Sequence, residues 1–527
     1  MEPFSSKTKI FNRYPDWIKK IYSVLTTKRV PIKVIFVITG ILSTLWFIIR
    51  VIPKPSRAVY PCMRVAAPIT SSFAIWLISL VASVSAFKKA KNLFIKTKYM
   101  TAFLFVTLGV VSSFIFLAKN TDELKAGLVP WYTSNSPVGI ARGINPGRVA
   151  WARNPEVTNW DGKTGDWWED RFNNQAEYDK VLSQALISLT GNATQKKAWD
   201  NLFSYFNRTK HSQQRGYETD EKIAIKINQN NTYSHENNSE INTSPHLLLS
   251  VLKSLINEGG ISANDITIFD ASRYITDDIY DKCHPLFPDV TFVDNSGGQG
   301  RVKSSYIEEA IPYSADNGKL ARGLATCIVD ADYVINMAIL KGHIGQGVTL
   351  CAKNFYGATN IDSDWRKNAH NNFDQNRDGS PRYMTFTDFM GHKDLGEKTI
   401  LFLIDAIYAH KFVNGAPSFK WQMSPFNNDW PSSVFISQDG AAIDAVGMDF
   451  LLNEFPDAPD LQYCDSYLRE SAKADDPPSG TRYDPERDGS TLGSLGVLEH
   501  WNNAQDKKYS RDLGTGNGIE LTYVLVE

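Results

Sequence analysis

The chain has 527 residues, with 56 Lys and Arg against 57 Asp and Glu. This length predicts two or more folded units. The near-neutral net charge hides an asymmetry, because residues 1–125 hold 19 basic and 4 acidic residues while the remainder is acidic overall. Nucleic acid is therefore excluded as the main partner, since the basic residues lie outside the part expected to be globular.

Residues 1–32 form a basic tail that precedes three apolar runs. We predict transmembrane helices at about 33–52, 66–87 and 99–118, because a helix needs roughly 20 apolar residues to cross the hydrocarbon core. Three buried helices of a soluble protein are the alternative, but nothing around the runs supplies complementary amphipathic helices. The lipid bilayer is thus an expected partner.

The distribution of lysines predicts the orientation of these spans. Eight basic residues lie in the tail between Lys7 and Lys33, and the connector "KKAKNLFIKTK" between the second and third spans adds five. Basic loops favour the cytoplasmic side. We therefore expect a multi-pass protein of a bacterial inner membrane, with the chain after residue 120 in an extracytoplasmic soluble domain.

The cysteines exclude two classes of site. Five cysteines are scattered along the chain, odd in number and without a CxxC pair: Cys62, Cys283, Cys327, Cys351 and Cys464. This pattern fits neither a disulfide framework nor a metal–thiolate motif, and no iron–sulfur cluster is expected.

Residues 121–215 are predicted to form an aromatic-rich and helical subdomain. Five tryptophans lie between positions 131 and 168. They either pack the subdomain against its neighbour, which we favour, or form a sugar-stacking surface. Residues 173–206 have the apolar spacing of helix.

Residues 216–527 read as an α/β domain. Short apolar strands are predicted at 222–228, 265–272, 290–294, 333–340, 399–409 and 433–439. Helical stretches separate them, including one with Ser244 as N-cap and Pro245 in its first turn. This alternation predicts a mainly parallel sheet with flanking helices, preceded by the three transmembrane helices.

Polar side chains follow or end most of these strands. In parallel α/β sheets, ligands bind beyond the carboxyl ends of the strands. The sequence therefore predicts a ligand site at one sheet edge, built from Asn228, Asp270, Ser272, Arg273, Asp294, Lys341, His343, Asp405 and Asp439.

The segment "ILKGHIGQGVTLCAKNFYGATN" (339–360) places two lysines and a histidine among glycines after an apolar strand. Its glycines either make a tight turn or present backbone N–H groups to an anion, with Lys341 supplying charge. Neither a GxxxxGK[ST] nor a GxGxxG motif is present. Lys353 among apolar residues must find a partner or shift its pKa.

Several blocks resemble one family. "YVINMAILKGHIGQGVTLCAKNFYG", "IAIKIN", "ITIFDASR" and "FISQDGAAIDAVG" are similar, in this order, to the domain of unknown function 362 (DUF362) family over roughly 220–450. The resemblance implies an α/β domain of largely undefined activity; some relatives carry a ferredoxin-type cysteine cluster, which this chain lacks. It points to Lys226, Asn228, Asp270, Lys341, His343, Thr349, Lys353, Asn354, Gly357, Asp439 and Asp444.

The sequence raises two hypotheses for a metal site. His343, His370 and His392, with Asp405 close behind, offer ligands for a divalent transition metal, although loops scatter histidines without such a role. Asp374, Asn376 and Asp378 in "DQNRDG" resemble the start of a calcium loop, but Thr385 stands where its glutamate is expected, and an Asx-rich turn is the alternative. No nucleophile elbow or HExxH motif is present, which disfavours a standard hydrolase.

The functional expectation is an enzyme or cofactor-dependent protein that acts on an anionic small ligand. Lys341 and Lys353 would neutralise the anion, and His343 would transfer a proton or bind a metal. Asp270 or Asp405 would orient the His343 ring. The alternative is a non-catalytic envelope module whose lysines make structural ion pairs. The cofactor, protein partners, substrate and reaction stay open.

Overall fold

The computed structural model describes residues 132–315, 320–361, 380–458 and 460–527, together with separate positions between 44 and 107. The chain divides into two compact units, residues 1–130 and 131–527. The predicted spans 33–52, 66–87 and 99–118 lie largely outside the described residues. Within the part that is described, no helix combines the length and the apolar character needed to cross a bilayer.

The second unit alternates strands and helices. Its strands are β1 (Val138–Gly139), β2 (Arg148–Arg153), β3 (Ile223–Lys226), β4 (Ile266–Asp270), β5 (Thr291–Asp294), β6 (Val302–Lys303), β7 (Tyr306–Ile307), β8 (Leu324–Ala325), β9 (Tyr333–His343), β10 (Gly347–Thr349), β11 (Thr399–His410), β12 (Ser433–Ser437), β13 (Val497–Leu498) and β14 (Glu520–Leu525). Its helices are α1 (Gln175–Thr190), α2 (Gln195–His211), α3 (Pro245–Lys253), α4 (Asp277–Cys283), α5 (Thr326–Val329), α6 (Cys351–Asn354), α7 (Thr385–Gly391), α8 (Gly440–Glu454) and α9 (Ser466–Ala472).

One large sheet organises this unit. Its strand order in the described chain is β14–β2–β12–β11–β9–β3–β4–β5–β6, with β10 folded back on β9. The strands from β11 to β6 run parallel to one another. Strand β12 is antiparallel to β11, and β2 is antiparallel to β12. The prediction of an α/β fold with a mainly parallel sheet is confirmed.

Helices cover both faces of the sheet. Helices α1, α2 and α3 pack on one face and α7, α8 and α9 on the other, each with its own apolar core. Every residue of the central strands β9 and β11 is buried, because a parallel strand is covered on both sides. Their near-continuous apolar sequences follow from this burial.

The predicted strands coincide closely with the observed ones, and the start of α3 is as expected. Ser244 is its N-cap, with the hydroxyl accepting from Leu247 N at 3.4 Å, and Pro245 occupies the first turn. The helical stretch 173–206 is two helices, because Gly191 ends α1 in the left-handed conformation at φ 72°.

Residues 121–215 were expected to form a subdomain of their own. Their described part contributes β2 to the main sheet, where it pairs with both β12 and β14. Trp151, Trp160 and Trp167 are buried, and the rings of Trp160 and Trp430 stack with centroids 5.3 Å apart. These three tryptophans pack the core, which favours the first of the two readings.

Candidate functional site

A cavity of about 430 Å³ lies where strands β3, β4 and β9 end. It is lined by Lys226, Asn228, Gln229, Asn230, Asn231, Tyr233, Asp270, Ser272, Arg273, Lys341, His343, Ile344, Thr349, Lys353, Asn354, Tyr356, Gly357, Val413 and Asn414. The volume falls in the range of small-molecule sites. The location is the carboxyl edge of the parallel strands, where the sequence places the ligand site.

Many of the residues singled out from the sequence meet in this cavity. They are Lys226, Asn228, Asp270, Ser272, Arg273, Lys341, His343, Thr349, Lys353 and Asn354. They come from segments more than 120 positions apart, and the parallel sheet brings them together because its strands end at one edge.

One wall of the cavity is a closed polar network. The Lys226 ammonium donates to Asp270 Oδ2 at 3.1 Å, to Asn354 Oδ1 at 3.2 Å and to the carbonyl oxygen of Ile227 at 2.5 Å. Asn354 donates in turn to Asn336 Oδ1 at 2.8 Å. Burial lowers the pKa of Lys226, and the Asp270 carboxylate opposes that effect. This lysine therefore has a structural ion pair.

Gly357 is required by the close approach of this network. A Cβ atom at position 357 would lie 2.6 Å from the Lys226 nitrogen and 2.9 Å from Asp270 Oδ1. The Gly357 carbonyl also accepts from Ala271 N at 2.9 Å, which ties α6 to the end of β4. Any side chain here would push the ion pair apart.

The glycine-rich loop after β9 is a tight hairpin turn. His343 pairs with Gly347 and Lys341 with Thr349 across the hairpin. Gly345 and Gly347 have φ values of 84° and 79°, a region that glycine adopts without strain. The N–H of Gly345 donates to Asp460 Oδ2 at 2.7 Å. The sequence left two interpretations of this loop open, a tight turn or an anion-binding loop. The structure shows the tight turn.

Lys341 and Lys353 differ from Lys226 in their hydrogen-bond and ion-pair partners. Lys341 is buried and donates to the carbonyl oxygen of Val413 at 3.2 Å. Lys353 lies 5.5 Å from the centre of the Tyr356 ring. Neither lysine forms an ion pair with another described residue, although both line a cavity that also contains Lys226 and Arg273.

Their surroundings favour the neutral amine. Burial, followed by the positive charges of Arg273 and Lys226, lowers the pKa of Lys353 to about 7. Burial, followed by the charge of Lys353, lowers the pKa of Lys341 well below its usual range. An anion in the cavity would oppose this shift, because it supplies a counter-charge.

Several polar atoms of the cavity wall also lack partners. Asn228 Oδ1, both amide atoms of Gln229 and Thr349 Oγ1 are buried without a hydrogen bond to any described residue. A buried polar group without a partner costs about 1–3 kcal/mol. These four atoms belong to three residues that line the same cavity.

His343 contributes a ring at the mouth of the hairpin. Its Nδ1 lies 2.5 Å from the carbonyl oxygen of Ile344. A carbonyl can only accept, so Nδ1 carries the proton in this contact. His343 is 8 % exposed, and it lines the same cavity as both lysines.

Two predicted ligand residues support the site from outside the cavity. Asp405 accepts from the N–H groups of Ser244 at 2.8 Å and Ile407 at 3.1 Å, which holds the start of α3. Asp444 of α8 accepts from the N–H groups of Cys351 at 2.8 Å and Ala352 at 3.0 Å. It thereby fixes α6, the helix that carries Lys353. Burial raises the pKa of each carboxyl to about 6.

Asp294, expected at the same edge, is also outside the cavity. It accepts from the N–H groups of Ile275 at 3.1 Å and Gly297 at 2.6 Å, and His235 Nε2 lies 2.8 Å away. These contacts hold the turn after β5.

The expected location of Asp439 is corrected. Asp439 follows β12, which is antiparallel to β11, and Ser437 pairs with Phe402 near the start of β11. The end of β12 therefore lies at the edge opposite the cavity. There Asp439 caps α8, accepting from Ala442 N at 2.9 Å and from Arg142 N at 2.8 Å.

His392 is likewise separated from His343. It precedes the start of β11, whose residue Thr399 pairs with Val334 at the start of β9. Nine further strand residues, roughly 30 Å of parallel strand, lead from there to His343. Both ring nitrogens of His392 are used, Nε2 with the carbonyl oxygen of Ala310 at 2.9 Å and Nδ1 with Asp394 N at 3.1 Å. The pair does not share a metal site in this structure.

The structure does not test the remaining predicted metal ligands. His370, Asp374, Asn376 and Asp378 lie outside the described residues. Within the described ranges, no group of three or more His, Cys, Asp or Glu side chains is arranged to hold a metal ion.

Some lining residues were not predicted. Gln229, Asn230, Asn231 and Tyr233 directly follow β3, and Val413 and Asn414 follow β11. Extending the end-of-strand rule by a few positions into each loop would have identified them. Ile344 and Tyr356 line the cavity through the hairpin and the turn after α6, where strand periodicity gives no signal, whereas Gly357 of the same turn is among the residues to which the family resemblance points.

Comparison with known proteins identifies the segment that builds this cavity. Residues 223–449 match the family model described as Domain of unknown function (DUF362). No curated protein and no solved structure is similar to the chain at a significant level. All the lining residues fall inside the matched segment, so the candidate site lies within the part of the chain that resembles this family model.

Proposed function

We propose that the DUF362 domain binds a small organic anion in the cavity at the carboxyl ends of β3, β4 and β9. The observation that carries the proposal is the presence of Lys341 and Lys353 in one cavity without an ion pair to any described residue. A lysine shielded from water without an ion pair must give up its proton or find a compensating group, and this cavity holds two such lysines. An anionic ligand is that group.

The alternative, in which the lysines are structural, fits only Lys226. That residue has a carboxylate, an amide oxygen and a backbone carbonyl as partners. The unpartnered atoms of Asn228, Gln229 and Thr349 add to the contrast, since a structural site would satisfy them within the protein. In this proposal His343 transfers a proton to or from the bound anion.

Native mass spectrometry of the full-length chain tests the proposal, with the thermal midpoint measured in parallel against inorganic phosphate and pyruvate. We expect a retained anion or anion-dependent stabilisation in the wild type. Lys341→Met should lose both effects, because half of the counter-charge is gone. A wild-type chain that neither retains an anion nor responds to these probes contradicts the proposal.

Lys398→Met is the matched control. Lys398 is similarly shielded, with its side chain 14 % exposed, but it is ion-paired to Asp394 at 2.9 Å and lies outside the cavity. Its substitution should leave anion binding unchanged. Equal losses in both variants would mean that the effect of Lys341→Met is general rather than local.

We also propose that residues 33–118 anchor the domain to a bacterial inner membrane and leave it on the extracytoplasmic side. The three apolar runs and the basic tail support this orientation. Protease protection of spheroplasts tests it. Digestion of residues 131–527 from outside is expected, whereas protection until the membrane is broken would contradict the orientation.

A further inference from the structure

We infer that Lys353 is a nucleophile that forms an imine with the bound anion, so that the ligand class is an anion that also carries an aldehyde or ketone group. This inference rests on the proposed anion site and deepens it. Its starting point is the composition of the cavity, in which two primary amines without a described carboxylate partner lie beside a guanidinium and a paired ammonium.

The two lysines have different surroundings. Lys341 is 1 % exposed and donates to a backbone carbonyl, so its nitrogen is already oriented by the protein. Lys353 is half-buried, and its nearest described ring is that of Tyr356. No described hydrogen bond holds its nitrogen. Lys353 is therefore the amine able to reach a ligand, while the Lys341 nitrogen is held in place by the backbone.

The charges that face Lys353 make its amine reactive at neutral pH. Lys226 of β3 and Arg273 after β4 are positive, and Asp270, the one carboxylate among the described lining residues, is paired with Lys226. Burial and this positive surrounding favour the neutral form of Lys353. Desolvation and adjacent cations activate lysine nucleophiles in the same way.

The chemical step is balanced without a further reactant. The lone pair of the Lys353 nitrogen attacks the carbonyl carbon, and a C–N bond forms as the C–O π electrons move to oxygen. The two nitrogen-bound hydrogens and the carbonyl oxygen then leave as water, which creates the C=N bond. His343 lines the same cavity and is placed to pass the proton that the departing hydroxyl needs. No atom is oxidised or reduced.

Reductive trapping tests the inference on the full-length chain. The chain is incubated at pH 7 with pyruvate, reduced with sodium borohydride, digested and mapped by mass spectrometry. We expect the adduct on Lys353 to exceed that on the exposed Lys473 by at least about tenfold, because only roughly one in 10³ ordinary lysine side chains is neutral at this pH. Equal labelling of Lys353 and Lys473, or an adduct on Lys341 instead, overturns the assignment.

Lactate is the matched ligand control, since it keeps the carboxylate and replaces the ketone by a hydroxyl. It should stabilise the chain and compete with pyruvate but leave no adduct. Lys353→Arg keeps the positive charge and cannot form an imine, so it should lose the adduct and retain the thermal stabilisation. Lys398→Met, whose lysine lies outside the cavity and is paired with Asp394, should keep both.

Together, these measurements distinguish the proposed anion site from the proposed imine on Lys353. Thermal stabilisation by pyruvate and lactate without any adduct on Lys353 overturns the imine and leaves the anion site in place. The absence of both stabilisation and adduct overturns both proposals. The mass-spectrometric peptide map of the wild-type chain shows whether Lys353 forms an imine, even where a variant does not fold.

Discussion

Two buried clusters of charge behave differently in this protein. The first, the His500 cluster, consists of His500, Asp449 and Asp465, with His500 Nδ1 2.6 Å from Asp449 Oδ1 and Nε2 3.4 Å from Asp465 Oδ2. The Tyr509 hydroxyl also donates to Asp449, at 2.9 Å. The second is the cavity, where Lys341 has no described carboxylate partner. Buried charges that are paired serve the fold, whereas buried charges left unpaired are better explained by a ligand.

The largest effect on stability is expected in the His500 cluster. His500→Leu leaves Asp449 buried without its cation, while Asp465 keeps Arg469 at 2.5 Å, and breaking a buried pair costs roughly 3–5 kcal/mol. Urea unfolding followed by tryptophan fluorescence measures the loss. His211→Leu, at an exposed position at the end of α2, is the control. A loss no larger than that of the control would mean that the cluster contributes little.

The pH dependence of stability should also come from this cluster. Burial alone would lower the pKa of His500, but Asp449 and Asp465 outweigh it and raise the pKa to about 9. Because the folded pKa exceeds the unfolded value, the contribution is fully present below pH 6.5 and is lost as pH rises through 9.

That contribution amounts to roughly 3 kcal/mol at one pKa unit per 1.36 kcal/mol. Unfolding free energies measured between pH 6 and pH 10 check it, with His500→Gln as the variant that lacks the titrating ring. If wild type and His500→Gln show the same slope over this range, His500 is not the group responsible.

A smaller loss is expected for Gly357→Ala. The added methyl group would meet the Lys226 nitrogen at 2.6 Å, and overpacking of this kind costs about 1–3 kcal/mol. Gly493→Ala is the matched control, because no atom lies within 4 Å of a Cβ atom built there. Chemical denaturation of both variants provides the comparison, and equal stabilities would contradict the close approach.

Lys341→Met should have the smallest effect on stability and the opposite sign. Replacing a buried lysine that has no ion pair by an apolar side chain of similar length is expected to stabilise the ligand-free chain by about 1 kcal/mol. Lys226→Met is the sharpest comparison, because its loss leaves Asp270 buried without its cation and should destabilise. Thermal unfolding in anion-free buffer measures both. Similar losses in the two variants would remove the distinction between paired and unpaired lysines.

Much of the fold is predictable from the sequence because the central strands are short apolar runs bounded by turns. The strand direction is not. Strand β12 has the same periodicity as its parallel neighbours, and the long connection from His410 to Ser433 does not reveal that it turns back. Asp439 was therefore expected at the wrong edge. The edge strand β14 and its neighbour β2 were missed because charged and hydroxyl residues stand at their ends or among their apolar residues.

The cavity was predictable to the extent that its residues end strands. Lys226, Asp270 and Lys341 stand at such ends, and the register of a parallel sheet brings them together. The pairing of charges was not predictable. Whether a lysine meets a carboxylate depends on distances of a few ångströms, so periodicity treats Lys226 and Lys341 alike.

The contact of Asp444 with α6 has a practical consequence for redesign. One carboxylate, 93 positions along the chain from Cys351, sets where the helix carrying Lys353 and Asn354 begins. The reach of that lysine can therefore be adjusted without altering a single side chain of the cavity wall. Substitutions at Asp444 and at Tyr467, whose hydroxyl donates to Asp444 at 2.9 Å, would vary the geometry of the cavity. The residues that line the cavity would stay the same.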